Sequence, residues 1–217
     1  MGSWRSSTRQ AAARSPRRRA GREVAVVALA WLAGSIPFSF VAARLATGAD
    51  LRTVGSGTVS GTGLYEVAGF GPLVVAGLCD VAKGAVGPLL ASGQSELASF
   101  ATAAALVGHN WSPWIGGAGG RGISPALGAT LVQAPEAALW LLAGLAGGRV
   151  ARMTGLGSSL AIATLPVPLR RRGRRGTVLA VALAVPMFAK RLAGNGPPRR
   201  RDLHTYLTRL AFDHDPG

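Results

Sequence analysis

Apolar residues run in long blocks along this chain and do not alternate with polar ones as a half-buried strand would require. The first block covers residues 24–46. At ~1.5 Å per residue, a helix of that length reaches across a hydrocarbon core of ~30 Å. Pro37 lies inside the block and permits a kink there. Further blocks occupy 72–92, 96–112, 135–151, 156–169 and 176–193. One more, 123–133, is too short to cross alone and reads as a half-span or a steep, thin one. The pattern predicts an all-α, polytopic membrane helix bundle of about seven spans, or six if the short block does not cross. Two glycine-rich, polar stretches, 47–71 and 113–122, read as loops. Two crossings separate them, so both fall on the same side of the membrane, where they can build a shared site.

Composition sharpens this picture. Hydrophobic residues make up 48% of the chain and charged residues 15%, against a usual charged share of about 25%. The net charge of +15 would suit a nucleic-acid binder, but its placement does not. Seven arginines lie in residues 1–22, five in 170–175 and three in 199–201, while 24–169 holds six bases. Basic charge that flanks apolar segments in this way meets lipid headgroups. Aromatic residues are only 6% and sit mostly in or beside the apolar blocks, so interleaved base-stacking surfaces are lacking and no nucleic-acid partner is expected. Membrane lipid is the expected surrounding partner.

Residues 17–19 before an apolar run look like a leader sequence, yet apolar blocks continue along most of the chain, and 24–46 reads as a retained first span. Residues 1–22 read as a disordered basic tail, 23–194 as the membrane domain, and 195–217 as a second basic tail. With seven spans the first tail and the 170–175 loop share a side with 12 bases against 11 opposite, so the positive-inside rule does not choose an orientation. Cys79 is alone, which excludes a disulfide within one chain and a cysteine-rich metal site.

The candidate chemistry lies in the two loops. The first contains Asp50, Arg52, Gly55, Ser56, Gly57, Thr58, Ser60, Gly61, Thr62 and Gly63. Small residues admit an anion close to the backbone, and successive N–H groups can form a phosphate-binding nest. It is not a dinucleotide fingerprint, since a third glycine and a preceding strand are missing, and a plain flexible connector is the bland alternative. The second loop sets Arg121 among Gly116, Gly117, Gly119, Gly120 and Gly122. A fixed cation amid backbone donors suits a phosphate or acyl-phosphate; a tight helix connection with an interfacial arginine is the competing reading. His109 ends the preceding apolar block, and the other histidines, His204 and His214, are in the tail, so no metal site is expected. Asp80 and Lys83 stand three apart on one helix and can pair, while charges within a span are also often functional.

The order of these pieces carries a resemblance. Gly34-Ser35-Ile36-Pro37-Phe38 is followed by Asp50-Leu51-Arg52 with Gly55-Ser56-Gly57. Then come Leu78, Asp80, Lys83 and Gly84, and then Gly108-His109, Gly119-Gly120-Arg121-Gly122 and Ala126-Leu127-Gly128. From about residue 24 to 194 this resembles the acyl-phosphate-dependent glycerol-3-phosphate acyltransferases of bacteria, often called PlsY. The resemblance implies a seven-span fold in the cell membrane, an outward N-terminus and a cytoplasmic site. It implies transfer of an acyl group from acyl-phosphate to the 1-hydroxyl of glycerol-3-phosphate, giving lysophosphatidic acid for phospholipid synthesis, without metal, other cofactor or acyl-carrier protein. A substrate phosphate would assist deprotonation of the attacking hydroxyl. Carried over by position, Ser56, Lys83, His109 and Arg121 become the catalytic candidates. Gly55, Ser56, Gly57, Thr58, Gly119, Gly120 and Gly122 become the phosphate-binding ones.

The chain also departs from the family pattern. Arg121 stands where a lysine is expected, keeping charge but changing shape. Thr58 and Gly63 replace asparagines, and Glu66 replaces an arginine. The last family motif survives as Arg191-Leu192-Ala193-Gly194, with Val185, Phe188 and Gly196 in place of its histidine, asparagine and glutamate. Two other readings therefore stand beside the enzyme: a catalytically silent paralogue that binds lipid or a partner protein, and a small transporter or channel. A transporter should show repeated halves with matching broken helices, and the sequence has no such repeat.

Overall fold

The structure, a computed structural model, describes residues 16–55, 57–198 and 200–212. These are mainly helical, with no strand among them. The first apolar block becomes two helices, α1 (Pro16–Ser35) and α2 (Phe38–Thr47). Pro37 has no N–H to continue the ladder and disfavours the helical conformation at Ile36, so the block breaks there instead of kinking. The first loop is not all irregular: α3 (Gly61–Ala68) sits within 47–71, capped by Ser60, whose hydroxyl accepts from the Gly63 N–H at 3.2 Å. Then follow α4 (Phe70–Leu90), α5 (Ser95–Asn110), α6 (Ile123–Gln133), α7 (Pro135–Val150), α8 (Thr154–Ala163), α9 (Pro166–Leu169), α10 (Arg174–Ala193) and α11 (Leu203–Phe212). The α1–α2 stretch, α4 and α10 are each long and apolar enough to cross a membrane alone.

Two expectations for the tails change. Helix α1 already begins at Pro16, within the stretch read as a disordered tail; residues 1–15 lie outside the described residues. The C-terminal stretch is not simply a basic tail either, since it folds as α11 against α8 and the end of α10. Arg209 donates to the Leu192 and Ala193 carbonyls, each at 2.9 Å. Those carbonyls belong to the last turn of α10, where intrahelical partners run out.

Glycine lets the helices approach. A Cβ on Gly84 would run into the Pro125 carbonyl, and one on Gly128 into that of Val81, so α4 and α6 cross with their backbones in contact. Gly34 and Gly108 do the same for α1 and α5. In a bilayer, helices gain little by hiding apolar surface from lipid, so close van der Waals contact at small residues holds the bundle together. Two hydroxyls inside it are satisfied by their own helices: Thr102 donates to Ala98 O at 2.9 Å and Thr130 to Ala126 O at 2.7 Å. The larger core, around Leu141, Ile162, Leu165, Leu183 and Met187, joins α6 through α10.

Two ends of the bundle follow from these contacts. At one end Arg22 of α1 donates to the Leu90 carbonyl of α4 at 2.9 Å, and Arg172 pairs with Glu136 and donates to Gln133 O at 2.7 Å. The end of α1, the ends of α5 and α10 and both glycine-rich loops meet at the other end.

Candidate active site

The break in α1 organises the site. A helix end leaves carbonyls without partners, and here the donors come from afar. Lys83 on α4 donates to Ile36 O at 2.5 Å, and Ser112, just before the second loop, donates to Ser35 O at 2.7 Å. The Trp114 indole N–H reaches Ser35 Oγ at 2.9 Å. Lys83 also pairs with Asp80 at 2.7 Å, and Ser39 donates to the other carboxylate oxygen at 3.3 Å. The two charges expected to pair on one helix face do so, and together they anchor the broken strut to α4. His109 Nδ1 lies 3.9 Å from Asp80, with its ring against Gly120.

The two glycine-rich loops meet directly. The Val59 N–H donates to Gly119 O at 3.2 Å. Asn195, just beyond α10, binds both loops: its amide donates to Gly57 O at 3.1 Å and Gly119 O at 3.3 Å, and its oxygen accepts from the Gly119 N–H at 3.2 Å. Arg121 crosses the same junction, donating to Thr58 Oγ1 at 3.2 Å and to the Lys190 carbonyl at 3.0 Å. Ser56 lies outside the described residues, but Gly55, Gly57 and Thr58 on either side of it place the first loop against Arg121.

The glycines have a packing reason of their own. A side chain at Gly119 would collide with the His109 and Asn110 carbonyls, and one at Gly120 with the His109 ring. Their amides are also engaged: Gly57 N–H bonds Val54 O at 2.9 Å and Gly120 N–H bonds His109 O at 3.3 Å, while Gly119 N–H is held by Asn195. In this closed arrangement those three donors face protein acceptors, so an anion contacting them requires the loops to part. Arg121 is 9% exposed, and Thr58 and Lys190 are buried with it.

Within the first loop, Asp50 caps the short turn Leu51–Thr53 and pairs with Arg52 at 2.7 Å and Arg44 at 2.8 Å. The hydrogen bond from Arg52 holds the Asp50 carboxyl below the ordinary carboxylate range. This brace keeps the loop's entry fixed.

The sequence profile of the glycerol-3-phosphate acyltransferase family matches residues 24–193. The chain belongs to this family. A glycerol-3-phosphate acyltransferase of Anaeromyxobacter dehalogenans (strain 2CP-C) is 42% identical over 144 residues, covering 61% of this chain and 70% of that one. Another, from Synechococcus sp. (strain CC9902), is 34% identical over 167 residues, covering 75% and 84%. Among solved structures, PlsY (YgiH), an integral membrane glycerol 3-phosphate acyltransferase, matches in its glycerol 3-phosphate form with a TM-score of 0.72 at 27% identity. That match covers 90% of this chain and 96% of that one. Its lysophosphatidic acid form matches with a TM-score of 0.70. The all-helical membrane fold expected from the apolar blocks is thus the fold of the family.

Three residues at the junction escape a reading of motifs. Asn195 is an isolated polar residue between two glycines, and Lys190 is one base among several near a helix end; only their partners distinguish them. Trp111, under the Lys190 ammonium at 5.2 Å, also lines an apolar groove of about 680 Å³ between α5 and α10. By contrast Val185 faces that groove, Phe188 packs against the core, and Glu66 is exposed. None of these three makes a polar contact with Arg121.

Proposed function

We propose that this protein transfers the acyl group of acyl-phosphate to the 1-hydroxyl of glycerol-3-phosphate in the cell membrane, forming lysophosphatidic acid and inorganic phosphate. The observation that carries the reading is the convergence of the two glycine-rich loops on the Arg121 guanidinium. Helices α1, α4, α5, α6, α7, α8 with α9, and α10 supply seven crossings, with this junction on the cytoplasmic side. The hydroxyl oxygen attacks the acyl carbonyl, the new ester bond forms, and the C–O bond to phosphate breaks with its electron pair leaving on phosphate. The hydroxyl proton passes to a phosphate oxygen. An acyl-phosphate is already an activated anhydride, so the protein's task is to orient two anions and offset their charge. Arg121 supplies the charge, with Gly55, Ser56, Gly57, Thr58, Gly119, Gly120 and Gly122 shaping the cradle. Lys83 and His109 support it from α4 and α5. The groove between α5 and α10 ends at Trp111, beside the cation site, and gives an acyl chain an apolar path to the junction.

A second reading, a family member that binds without turnover, is favoured by Val185 and Phe188, which place apolar side chains at the family's histidine and asparagine positions. In that case Arg121 serves chiefly to cap α10 through the Lys190 carbonyl. An assay of the purified protein with acyl-phosphate and labelled glycerol-3-phosphate separates the two. Lysophosphatidic acid should form, and Arg121→Ala should lower kcat/KM by about 100-fold or more, the usual loss when a preorganised donor to developing charge is removed. Arg121→Lys should retain part of the activity, since it keeps the charge. No product, or equal rates in the native protein and Arg121→Ala, would overturn the acyltransferase reading.

A further inference from the structure

Lys190 is fully buried, and its Nζ has no hydrogen-bond partner among the described residues. Its ammonium lies 5.2 Å from the centre of the Trp111 ring, and no carboxylate among the described residues is paired with it. Arg121, a charge of the same sign, donates through its guanidinium to the Lys190 carbonyl at 3.0 Å. His109 lies within electrostatic reach of Lys190 on one side and Lys83 on the other, and Lys83 already has Asp80. A buried ammonium without a counter-ion is costly, and a neighbouring guanidinium makes it more so. The face of a tryptophan offsets only part of that. An anion with close to two negative charges, entering beside Lys190, would relieve that cost.

The helical rotation of α10 gives this position its significance. Lys190 shares the inward face with Leu183 and Met187, whereas Val185 and Ala189 face the apolar groove. The positions where the resemblance places the family's histidine and asparagine thus carry no polar group here, and the inward face of the same helix carries an amine. We infer that Lys190 is a second phosphate-binding cation of this site, acting beside Arg121 on the phosphate of one substrate. This rests on the acyltransferase reading for the identity of the substrate, but not for the binding of phosphate itself. The amine becomes reachable when the connector 111–122 parts from the first loop. That connector turns at Gly116 and Gly117, both left-handed, and Asn195 holds it down.

The test compares the full-length native protein with Lys190→Met and Lys190→Arg in detergent, using ligand-free melting, binding of glycerol-3-phosphate and of inorganic phosphate, and the KM for each substrate. Lys190→Met should melt at or above the native temperature without ligand, because an unpaired buried charge has gone. It should also weaken phosphate binding about ten-fold or more, the size of one charge-assisted contact. Lys190→Arg should restore most of that binding. A rise in KM confined to glycerol-3-phosphate, with weaker binding of it, assigns the contact to the acceptor. A rise confined to acyl-phosphate assigns it to the donor. Unchanged binding and KM for both substrates in Lys190→Met would overturn the inference and leave Lys190 a packing residue over Trp111. If the native protein binds phosphate in a Lys190-dependent way yet forms no product, the inference stands and the acyltransferase reading falls. If product forms at the same KM values in Lys190→Met, the acyltransferase reading stands and the inference falls. A native protein that neither binds nor turns over overturns both.

Discussion

Asn195 holds the two loops together with a single side chain, and the consequence is measurable. Its three hydrogen bonds link Gly57 of the first loop to Gly119 of the second. Each such bond contributes on the order of 1 kcal/mol, and Asn195 lies outside the helices that set global stability. Asn195→Ala should therefore leave the melting temperature nearly unchanged while speeding amide exchange across 57–59 and 117–120 by about ten-fold or more, as a local opening made easier by 1–3 kcal/mol would. Unchanged exchange in the loops would show that Asn195 does not bind them. Arg121 and Lys190 meet at the same junction, but the roles proposed for them rest on charge, so their substitutions are read in binding and rate instead.

Helix crossings set the positions of these residues. Gly84 sits one residue after Lys83, so the close approach of α4 to α6 also fixes where Lys83 meets the broken end of α1. Gly84→Val would press a branched side chain into the Pro125 backbone, which has no flexible end to yield. It should destabilise the bundle by about 3 kcal/mol or more, at the upper end for overpacking, read as a lower melting temperature in detergent. Gly77, on the same helix with open space around it, is the control: Gly77→Ala should be nearly neutral. Equal melting of Gly84→Val and the native protein would mean that α4 and α6 do not touch as described. The broken α1–α2 segment follows the same logic, since Pro37 interrupts the backbone ladder and side chains from α4 and from just past the end of α5 reach the Ile36 and Ser35 carbonyls.

Across the whole molecule the charge divides between two ends. Arg22 and the 170–175 loop mark one end, and the loops around Arg121 the other. This division explains why counting bases did not choose an orientation: both ends are rich in arginine, so the bias nearly cancels. Labelling resolves what counting does not. With Cys79→Ala as background, Thr53→Cys and Arg171→Cys should react with a membrane-impermeant thiol reagent from opposite sides of sealed vesicles. Reaction from the same side would remove the two-ended arrangement. The family-wide fold places this chain among integral membrane glycerol-3-phosphate acyltransferases.

The sequence by itself determined the solvent in which this protein folds and the elements that fold there. Apolar runs of span length, interrupted at Pro37 and by glycine-rich connectors, leave little choice but membrane helices, because unpaired backbone groups are not tolerated in lipid. The three-residue spacing of Asp80 and Lys83 likewise gave their pairing, since helix geometry is local. The ordered motifs gave the family. What only the tertiary structure decided lies between residues far apart in the chain. Arg121 meets Lys190 across 69 positions, and Asn195 meets Gly57 across 138. Periodicity is silent about such pairs, because which residue satisfies a helix-end carbonyl or a loop amide depends on how whole helices cross. The same packing closed the Gly57, Gly119 and Gly120 amides against protein acceptors and left the Lys190 ammonium buried without one among the described residues.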